Sequence, residues 1–398
     1  MTGGAGRSNT AVAVLSDEMI ERVQRRLADR GEAPDPQALA SALRAESAVL
    51  TSDSEMLRLI RQLQRELVGA GPLADLLADP STTDVVVNGP DDVRVDRGAG
   101  WEPAPVRFAD DVAVQRLARR LATAAGRRLD DAHPHVDARL VDGTRLHAVL
   151  APVAASGTCL SLRVLRPARH DLAALAAAGS LPGCARSVVA TVLAARLAFL
   201  VSGGTGSGKT TLLSAMLAAV PEAERLVTVE DAEELRPPHP HLVRLVARQA
   251  NVEGAGTISL RDLVRQALRM RPDRLVVGEV RGAEVVDLLA ALNTGHDGGA
   301  GTVHANTAAD VPARLEALAA VGGVGRAALH AQLAGAVRVV LHVRRTGQRR
   351  ELVEIAVLAR NAAGWVTAAP AVVGGRPVAP GCDLLGELLV ERGQPCPW

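Results

Sequence analysis

The segment 203–210 constrains the fold of this 398-residue chain more than any other. It reads GGTGSGKT and fits the pattern G-x-x-x-x-G-K-[ST], with an apolar run, Ala198–Ser202, before it and a predicted helix, Thr210–Ala219, after it. Glycines let the backbone curl so that successive amides point at phosphate oxygens, and a helix N-terminus adds partial positive charge. A strand, a loop and a helix in this order predict an α/β domain with a phosphate-binding loop.

Lys209 is the only lysine in the chain, although Lys and Arg together number 45. The dinucleotide-binding pattern G-x-G-x-x-G fails here because position 209 is lysine. Inside a phosphate-binding loop the cation must be compact and carried on a slim stem, which a planar guanidinium is not. We expect Lys209 to reach the β- and γ-phosphates of a nucleotide and the Thr210 hydroxyl to bind Mg²⁺. The predicted nucleotide-binding residues are Gly203, Gly204, Thr205, Gly206, Ser207, Gly208, Lys209, Thr210 and Thr211.

From about residue 185 the sequence alternates short β-rich runs with helical stretches. The β-rich runs are Ala198–Ser202, Leu226–Val229, Leu242–Val246, Leu275–Gly278, Gly301–Val303 and Val337–Val343. The clearest helix is Ser259–Met270, whose apolar residues recur at helical spacing. This alternation predicts a mainly parallel sheet that helices cover on both faces.

The sequence before residue 166 has a different pattern, typical of a smaller α+β domain. Its signals are a hairpin at 85–95, a helix at Val112–Ala125 and strands at Arg139–Val141, Arg145–Val149 and Leu160–Val164. The predicted organisation is a helical and partly flexible leader at 1–54, an N-terminal α+β domain at 55–165, a linker at 166–184, an α/β nucleotide-binding domain at 185–345 and a C-terminal extension at 346–398.

Polar residues follow three of the predicted strands. Glu279 ends the run at 275–278, Glu230 and Asp231 follow the run at 226–229, and His304 follows the run at 301–303. Ligands gather at the carboxyl ends of strands in an open parallel sheet. Nucleotide hydrolysis needs an acid on the metal side and a group that orients the attacking water, and Glu279 fits either role. The structural alternatives are a helix cap for Glu279 and a buried hydrogen-bonded group for His304.

Composition excludes several other classes of protein. The formal net charge is +1 and aromatic residues make up 1% of the chain, so we expect neither bulk electrostatic binding of nucleic acid nor base stacking on aromatic side chains. The four cysteines form no CxxC pair, which is typical of reduced cytoplasmic thiols. The longest apolar stretch, Val188–Val201, contains Arg196 and is too short to cross a bilayer. The sequence therefore predicts a cytoplasmic protein without a membrane span, held at the cytoplasmic membrane only through partners.

Four stretches together resemble the secretion and pilus traffic ATPases. They read GGTGSGKTT, TVEDAEEL, RLVVGEVRG and GTVHAN, which are similar to the Walker A loop, Asp box, Walker B segment and His box of that superfamily. Residues 267–282, with NTGHD at 293–297, look most like the CpaF-type branch of tight-adherence and conjugation-associated ATPases. The segments 71–73 and 87–90 are similar to the N-terminal domain of that branch.

The resemblance implies a RecA-like P-loop NTPase domain and hydrolysis of ATP with Mg²⁺. It implies that Glu279 is the Walker B acid, that Glu230 or Asp231 is the Asp-box acid, with Asp231 near Mg²⁺, and that His304 senses the γ-phosphate. It also implies arginines from the N-terminal domain at the γ-phosphate, for which the candidates are Arg139, Arg145 and Arg163. The implied assembly is a homo-hexameric ring, and its implied partner is a platform protein of the inner membrane.

The leading interpretation is an ATPase motor for pilus assembly or protein secretion. Two alternatives stay open: a RecA-like nucleic-acid translocase for conjugal transfer, and a nucleotide-gated scaffold that organises other subunits. The near-neutral charge and scarce aromatics make nucleic acid an unexpected partner. An ABC-type subunit is disfavoured because the sequence contains no LSGGQ-like signature.

Overall fold

A computed structural model describes residues 17–30, 35–46, 52–67, 69–165, 170–248, 250, 255–347 and 349–398. The chain divides into two compact units, Met1–Leu165 and Arg166–Trp398. The first 16 residues of the predicted leader and residues 166–169 of the predicted linker lie outside the described residues.

Three amphipathic helices open the first unit: α1 (Asp17–Arg30), α2 (Pro36–Glu46) and α3 (Asp53–Leu67). In α2 the buried residues Leu39, Ala42 and Leu43 recur at i, i+3 and i+4, which places them on one face. Together with buried residues of α1 and α3 they form a separate hydrophobic core. The predicted leader therefore contains packed helices within its described part.

The rest of the first unit is an antiparallel sheet with helices. Its elements are a 3₁₀ turn at Gly71–Leu73, α4 (Ala74–Ala78), β1 (Asp84–Asn88), β2 (Val93–Asp96), β3 (Trp101–Pro103), α5 (Asp111–Ala124), β4 (His135–Arg139), β5 (Arg145–Val149) and β6 (Cys159–Arg163). The strand order is β3-β2-β1-β6-β5-β4. The Asp110 side chain caps α5 by accepting a hydrogen bond from the amide of Ala113.

The strand predicted at Arg139–Val141 is displaced in the structure. β4 ends at Arg139, and the next residues form a turn in which the Leu140 amide donates to the Thr144 carbonyl. The Asp142 carboxylate accepts from the amide of Thr144, and the Val141 side chain is 99% exposed. A valine therefore gave a false strand signal, because the aspartate beside it favours the turn.

The second unit is built on one nine-stranded sheet. Its elements are α6 (Leu172–Ala177), α7 (Ala185–Ala194), β7 (Phe199–Ser202), α8 (Lys209–Ala218), β8 (Leu226–Glu230), β9 (Leu242–Val246), α9 (Leu260–Leu268), β10 (Arg274–Val280), α10 (Glu284–Leu292), β11 (Ala300–Val303), α11 (Val311–Val321), α12 (Arg326–Ala336), β12 (Val339–Thr346), β13 (Arg349–Arg360), β14 (Val366–Val373), β15 (Arg376–Pro377) and α13 (Gly381–Glu391). The order is β15-β14-β13-β12-β7-β11-β10-β8-β9. Strands β12, β7, β11, β10, β8 and β9 are parallel.

Helices cover both faces of this sheet, as predicted. Successive residues of β7 face opposite ways: Phe199 and Val201 join one hydrophobic core, whereas Leu200 joins the other. The first core takes apolar side chains from α6, α7, α8 and α13, and the second takes them from α9, α10, α11 and α12. The α/β fold with a mainly parallel sheet is therefore confirmed.

Residues 346–398, predicted as a C-terminal extension, lie in the second unit and continue its sheet. β13 pairs antiparallel with β12, with Val339 opposite Val357, and β14 then pairs with β13. In α13, Leu385 and Leu389 are fully buried in the core that α8 also covers. Among the helices of the described ranges, none combines the length and the hydropathy that crossing a bilayer requires.

Candidate functional site

The phosphate-binding loop lies between the carboxyl end of β7 and the start of α8. Gly208 precedes the helix with a φ of +98°, which favours glycine. At Gly203 an added Cβ would lie 2.3 Å from the carbonyl oxygen of Val343 on β12. The local sequence therefore has glycine where the backbone turns left-handed and where a neighbouring strand leaves no room for a side chain.

Lys209 is the buried cation of this loop, with 7% of its surface exposed. Its Nζ donates to the carbonyl oxygens of Gly203, at 3.0 Å, and Gly204, at 2.9 Å. It also lies 3.4 Å from each ring nitrogen of His304. Burial lowers the pKa of Lys209, and the nearby carboxylate of Glu279 opposes that shift. The ammonium is thus folded onto the loop's own carbonyls, beside the His304 ring.

Glu279, near the end of β10, lies between His304 and Arg281. Its Oε1 is 2.6 Å from Nε2 of His304, and its Oε2 accepts from Nη2 of Arg281 at 2.6 Å. Burial alone would raise the pKa of Glu279, but the hydrogen bond and charge of Arg281, with the charge of Lys209, hold it below its usual range. Burial and the charge of Lys209 lower the pKa of His304. Glu279 is therefore an ionised, partly buried carboxylate at neutral pH, beside a neutral imidazole.

The Glu230 side chain organises the acidic turn after β8. Glu230 is 3% exposed, and its Oε1 accepts from the amides of Glu234, at 3.1 Å, and Leu235, at 3.0 Å. Gly278 on β10 makes room for it, because a Cβ there would lie 2.6 Å from Cγ of Glu230. This turn brings Glu234 to the loop, where its Oε2 accepts from the Thr210 hydroxyl at 3.2 Å. The carboxylate in contact with Thr210 is thus that of Glu234, whereas the sequence analysis assigned the metal-side role to Asp231.

The residues present fit a nucleotide with Mg²⁺. Within the described residues, Oε1 of Glu279 is buried and lies 2.6 Å from Nε2 of His304 without a well-directed hydrogen bond, so one of its two lone pairs can accept a water or hydroxyl donor. In that same part of the chain, no three His, Cys, Asp or Glu side chains are grouped to hold a metal ion. Mg²⁺ that shares its ligands with phosphate oxygens needs only one or two protein groups, and the Thr210 hydroxyl and the Glu234 carboxylate supply them.

A cavity of about 340 Å³ opens beside the phosphate-binding loop. The loop and α8 contribute Ser207, Gly208, Thr211 and Leu212, the α6 region contributes Leu175 and Leu181, and the β12–β13 hairpin contributes Val343, Arg350 and Leu352. Its walls combine these apolar side chains with polar and charged groups, which include His170, Arg349 and Glu351 away from the loop.

The three candidate arginines of the first unit form a row across its sheet. Arg139 on β4 is paired with Arg145 on β5, which is paired in turn with Arg163 on β6. Directly paired residues of antiparallel strands share a face of the sheet. Arg163 also forms an ion pair with Asp84 at 2.9 Å. The structure therefore brings together three residues that the sequence analysis chose separately.

Sequence reasoning missed Arg281, His342 and Arg350 and gave Glu234 no role. The Walker B segment did contain a signal for Arg281, which follows Glu279 by two residues. His342 pairs in register with Ser202, and its Nδ1 lies 2.9 Å from the Ser202 Oγ. That contact depends on the pairing of β12 with β7, which the local sequence does not show.

Residues 66–366 match the family model described as "Type II/IV secretion system protein". The chain belongs to this family. A Mycobacterium tuberculosis protein (strain H37Rv), provisionally named as a conjugal transfer protein, is 62% identical over 350 residues, covering 86% of this chain and 99% of the relative. The conjugal transfer protein TrbB of Rhizobium radiobacter is 30% identical over 306 residues, covering 75% of this chain and 90% of the relative.

Solved structures show the fold of this secretion-family chain. The pilus retraction motor PilT with bound ADP gives a TM-score of 0.50 at 20% identity, covering 81% of this chain and 89% of the motor. The ATPase DotB of Yersinia pseudotuberculosis gives 0.51 at 16% identity, covering 87% and 86%. The predicted fold class, a RecA-like P-loop NTPase domain preceded by a smaller α+β domain, is confirmed. The predicted resemblance to secretion and pilus ATPases is confirmed as well.

Proposed function

We propose that this chain is a Mg²⁺-dependent ATPase that powers a secretion or pilus-type apparatus, including those of conjugal transfer. The observation that carries the proposal is the contact of Lys209, His304 and Glu279 at the carboxyl ends of β7, β11 and β10. The ammonium of Lys209 and the ionised carboxylate of Glu279 both contact the neutral ring of His304. That set suits phosphoryl transfer to water, in which positioning and electrostatics supply most of the catalysis.

In this proposal each side chain has a separate task. Lys209 moves its ammonium from the carbonyls of Gly203 and Gly204 to phosphate oxygens. Oε1 of Glu279 accepts a hydrogen bond from the attacking water and orients it, while Arg281 keeps that carboxylate ionised. Glu230 holds the acidic turn, because its Oε1 accepts two backbone amides.

Thr210 and Glu234 would hold Mg²⁺. Held there, Mg²⁺ would supply positive charge that neutralises the charge developing on the phosphoryl group. The cavity beside Thr211 would take the base and ribose. The assignment of Asp231 to the metal and of Arg139, Arg145 and Arg163 to the γ-phosphate stays a prediction from the family resemblance.

The motor would work as a homo-hexameric ring on the cytoplasmic face of the membrane, bound to an inner-membrane platform protein. Family membership and the PilT-like fold support this assembly. Phosphate release by the full chain with Mg²⁺ tests the proposal. We expect turnover per chain to rise as the protein oligomerises and to fall at least about a hundredfold in Lys209→Ala.

The control is Arg360→Ala, an exposed position on β13 that makes no side-chain hydrogen bond or ion pair among the described residues. An assembled ring that releases no phosphate, even with its membrane partners, contradicts the motor. The names of the conjugal transfer relatives favour one further candidate, a nucleic-acid translocase. That candidate predicts turnover that DNA stimulates and that falls steeply with added salt.

A further inference from the structure

Arg350, at the start of β13, contacts the phosphate-binding loop although it lies 144 residues beyond Gly206. Its Nε donates to the carbonyl oxygen of Gly206 at 3.0 Å. Its aliphatic stem lies across Gly208, since an added Cβ there would be 3.2 Å from Cδ and 3.6 Å from Cβ of Arg350. One side chain thus covers one glycine of the loop and holds the carbonyl of another.

The loop fixes its first part by itself, since the Ser207 hydroxyl donates to the Gly204 carbonyl at 2.9 Å and Lys209 donates to the carbonyls of Gly203 and Gly204, but these bonds do not reach the Gly206 carbonyl. Gly206 and Gly208 have φ values of +68° and +98°, and glycine loses more conformational freedom on ordering than any other residue. Within the loop, the Ser207 amide makes only a 3.4 Å contact with the Gly204 carbonyl. A phosphate-binding loop must keep its amides available for the ligand, so it cannot be ordered by spending them on internal hydrogen bonds. The order of the loop around Gly206 therefore depends on a group outside it, Arg350.

Arg350 acts on the peptide unit that joins Gly206 to Ser207. The peptide is planar and trans, so its carbonyl and its amide point in opposite directions. A donor that fixes the Gly206 carbonyl on one side therefore aims the Ser207 N–H towards the other side. The hydrogen bond from Arg350 therefore sets the direction of the Ser207 amide, whose own contact with the Gly204 carbonyl, at 3.4 Å, is weak enough for a phosphate to replace.

The sheet gives Arg350 a rigid base. β13 is paired with β12, where Arg345 stands opposite Arg350 and has its Nη1 3.7 Å from the position of a Cβ at Gly206. β12 is in turn the parallel neighbour of β7, the strand that leads into the loop. The loop is thus held between β7, which leads into it, and β13, which lies two strands from β7 in the same sheet. A contact carried by paired strands is more precise than one carried by a free loop.

We propose that Arg350 is a positioning residue of the nucleotide site, which keeps the loop in a phosphate-binding conformation before any ligand arrives. The ligand class, a nucleotide, rests on the proposed function. The hold on the loop rests only on the contacts of Arg350 and can be tested without a ligand.

Amide hydrogen exchange of the nucleotide-free chain tests the hold. In Arg350→Gln we expect exchange at residues 204–208 to rise about fivefold or more, because the loop opens more often. Arg360→Gln, on the same strand, should leave that exchange unchanged. Exchange in Arg350→Gln that equals the wild-type exchange overturns the proposal.

Binding of ADP tests what the hold does. Arg350→Gln should raise the Kd for ADP about tenfold, since ordering the loop then costs binding free energy, and should raise KM with kcat changed less than about threefold. Equal affinity in the Gln variants of Arg350 and Arg360 overturns the role in binding. If the wild-type chain binds no ADP, the proposed function fails. Raised loop exchange in Arg350→Gln would still show that Arg350 holds the loop.

Arg350→Lys covers the case in which Arg350→Gln does not fold. The lysine stem still lies over Gly208, and its ammonium can donate to Gly206, although the donor is one atom further along the chain. We expect loop exchange measurably above that of wild type but less than about fivefold above it, and a Kd for ADP measurably raised but by less than about tenfold. Arg360→Lys is the matched control. If Arg350→Lys has the same loop exchange and the same Kd for ADP as the wild type, the hydrogen bond from Arg350 to Gly206 is not what holds the loop.

Discussion

Nε2 of His304 lies 2.6 Å from Oε1 of Glu279, and the same ring faces the ammonium of Lys209 at 3.4 Å. One imidazole therefore separates the ammonium of Lys209 from the carboxylate of Glu279 on β10. The charge of Lys209 and burial both lower the pKa of His304. In its neutral form His304 contacts both groups without adding a charge. In the proposed function Lys209 can then still bind phosphate oxygens, and Glu279 can still accept a hydrogen bond from water.

Glu279→Gln should separate nucleotide binding from hydrolysis. The amide keeps the shape of the side chain but loses the charge that orients water, so we expect turnover to fall about a hundredfold or more. The Kd for ATP should change less than about threefold, because in the proposed mechanism the carboxylate contacts the attacking water and not the bound ATP. Glu387→Gln on α13 is the control, since Glu387 is exposed. Turnover in Glu279→Gln within about tenfold of wild type would exclude Glu279 as the group that orients water.

Arg281→Gln should move the pH dependence of turnover. Burial raises the pKa of Glu279 and the hydrogen bond from Arg281 lowers it, so removal of Arg281 leaves the effect of burial less opposed. The ionised carboxylate is the active form, and activity is lost as pH falls through its pKa. The acid limb of the profile therefore shifts to higher pH in Arg281→Gln, with less change on the alkaline side. An acid limb that stays in place, as expected of Arg360→Gln, contradicts this account.

The fold could be predicted from the sequence because its signals are local. Each of the six apolar runs predicted in the second unit is a parallel strand, and the helix predicted at Ser259–Met270 is α9, at Leu260–Leu268. The gathering of Glu279 and His304 followed from one rule, that ligand sites lie at the carboxyl ends of parallel strands. Their roles in hydrolysis stay predictions.

The remaining site residues depend on contacts between distant strands. Nearly all basic residues of the chain are arginine, so the sequence around Arg350 does not distinguish it from other arginines. Its place over the loop is set by the register of β13 on β12. Glu234 is one of four acids in TVEDAEEL, and only the hydrogen bonds of Glu230 to the turn decide which acid reaches Thr210.

The contact between Thr210 and Glu234 predicts that the Glu234 carboxylate sets the Mg²⁺ concentration needed for turnover. Glu234→Gln should raise the Mg²⁺ concentration for half-maximal turnover about fivefold or more, because a carboxylate binds this hard cation better than an amide does. Glu222→Gln, an exposed glutamate outside the acidic turn, serves as the control. The competing assignment is Asp231, tested by Asp231→Asn. If only Asp231→Asn changes the Mg²⁺ dependence, the metal-side role returns to Asp231.

His342→Gln should destabilise the chain in a pH-dependent way. His342 is 5% exposed, and its ring contacts the Ser202 hydroxyl and a backbone group of Asn306. Loss of these buried hydrogen bonds should lower the free energy of unfolding by about 1–3 kcal/mol at about pH 8. Urea unfolding of wild type and variant measures this difference.

The sign of the pH dependence follows from the pKa of His342, which burial lowers below the ordinary histidine value of 6.5. Below that value the unfolded chain binds a proton that the folded chain resists, so wild-type stability falls as the pH drops from there towards the folded pKa. Glutamine does not titrate, and the other shifted groups stay in both proteins. The difference between wild type and His342→Gln should therefore shrink between about pH 8 and about pH 5.5. A difference that stays constant or widens would mean that His342 is not held neutral between Ser202 and Asn306.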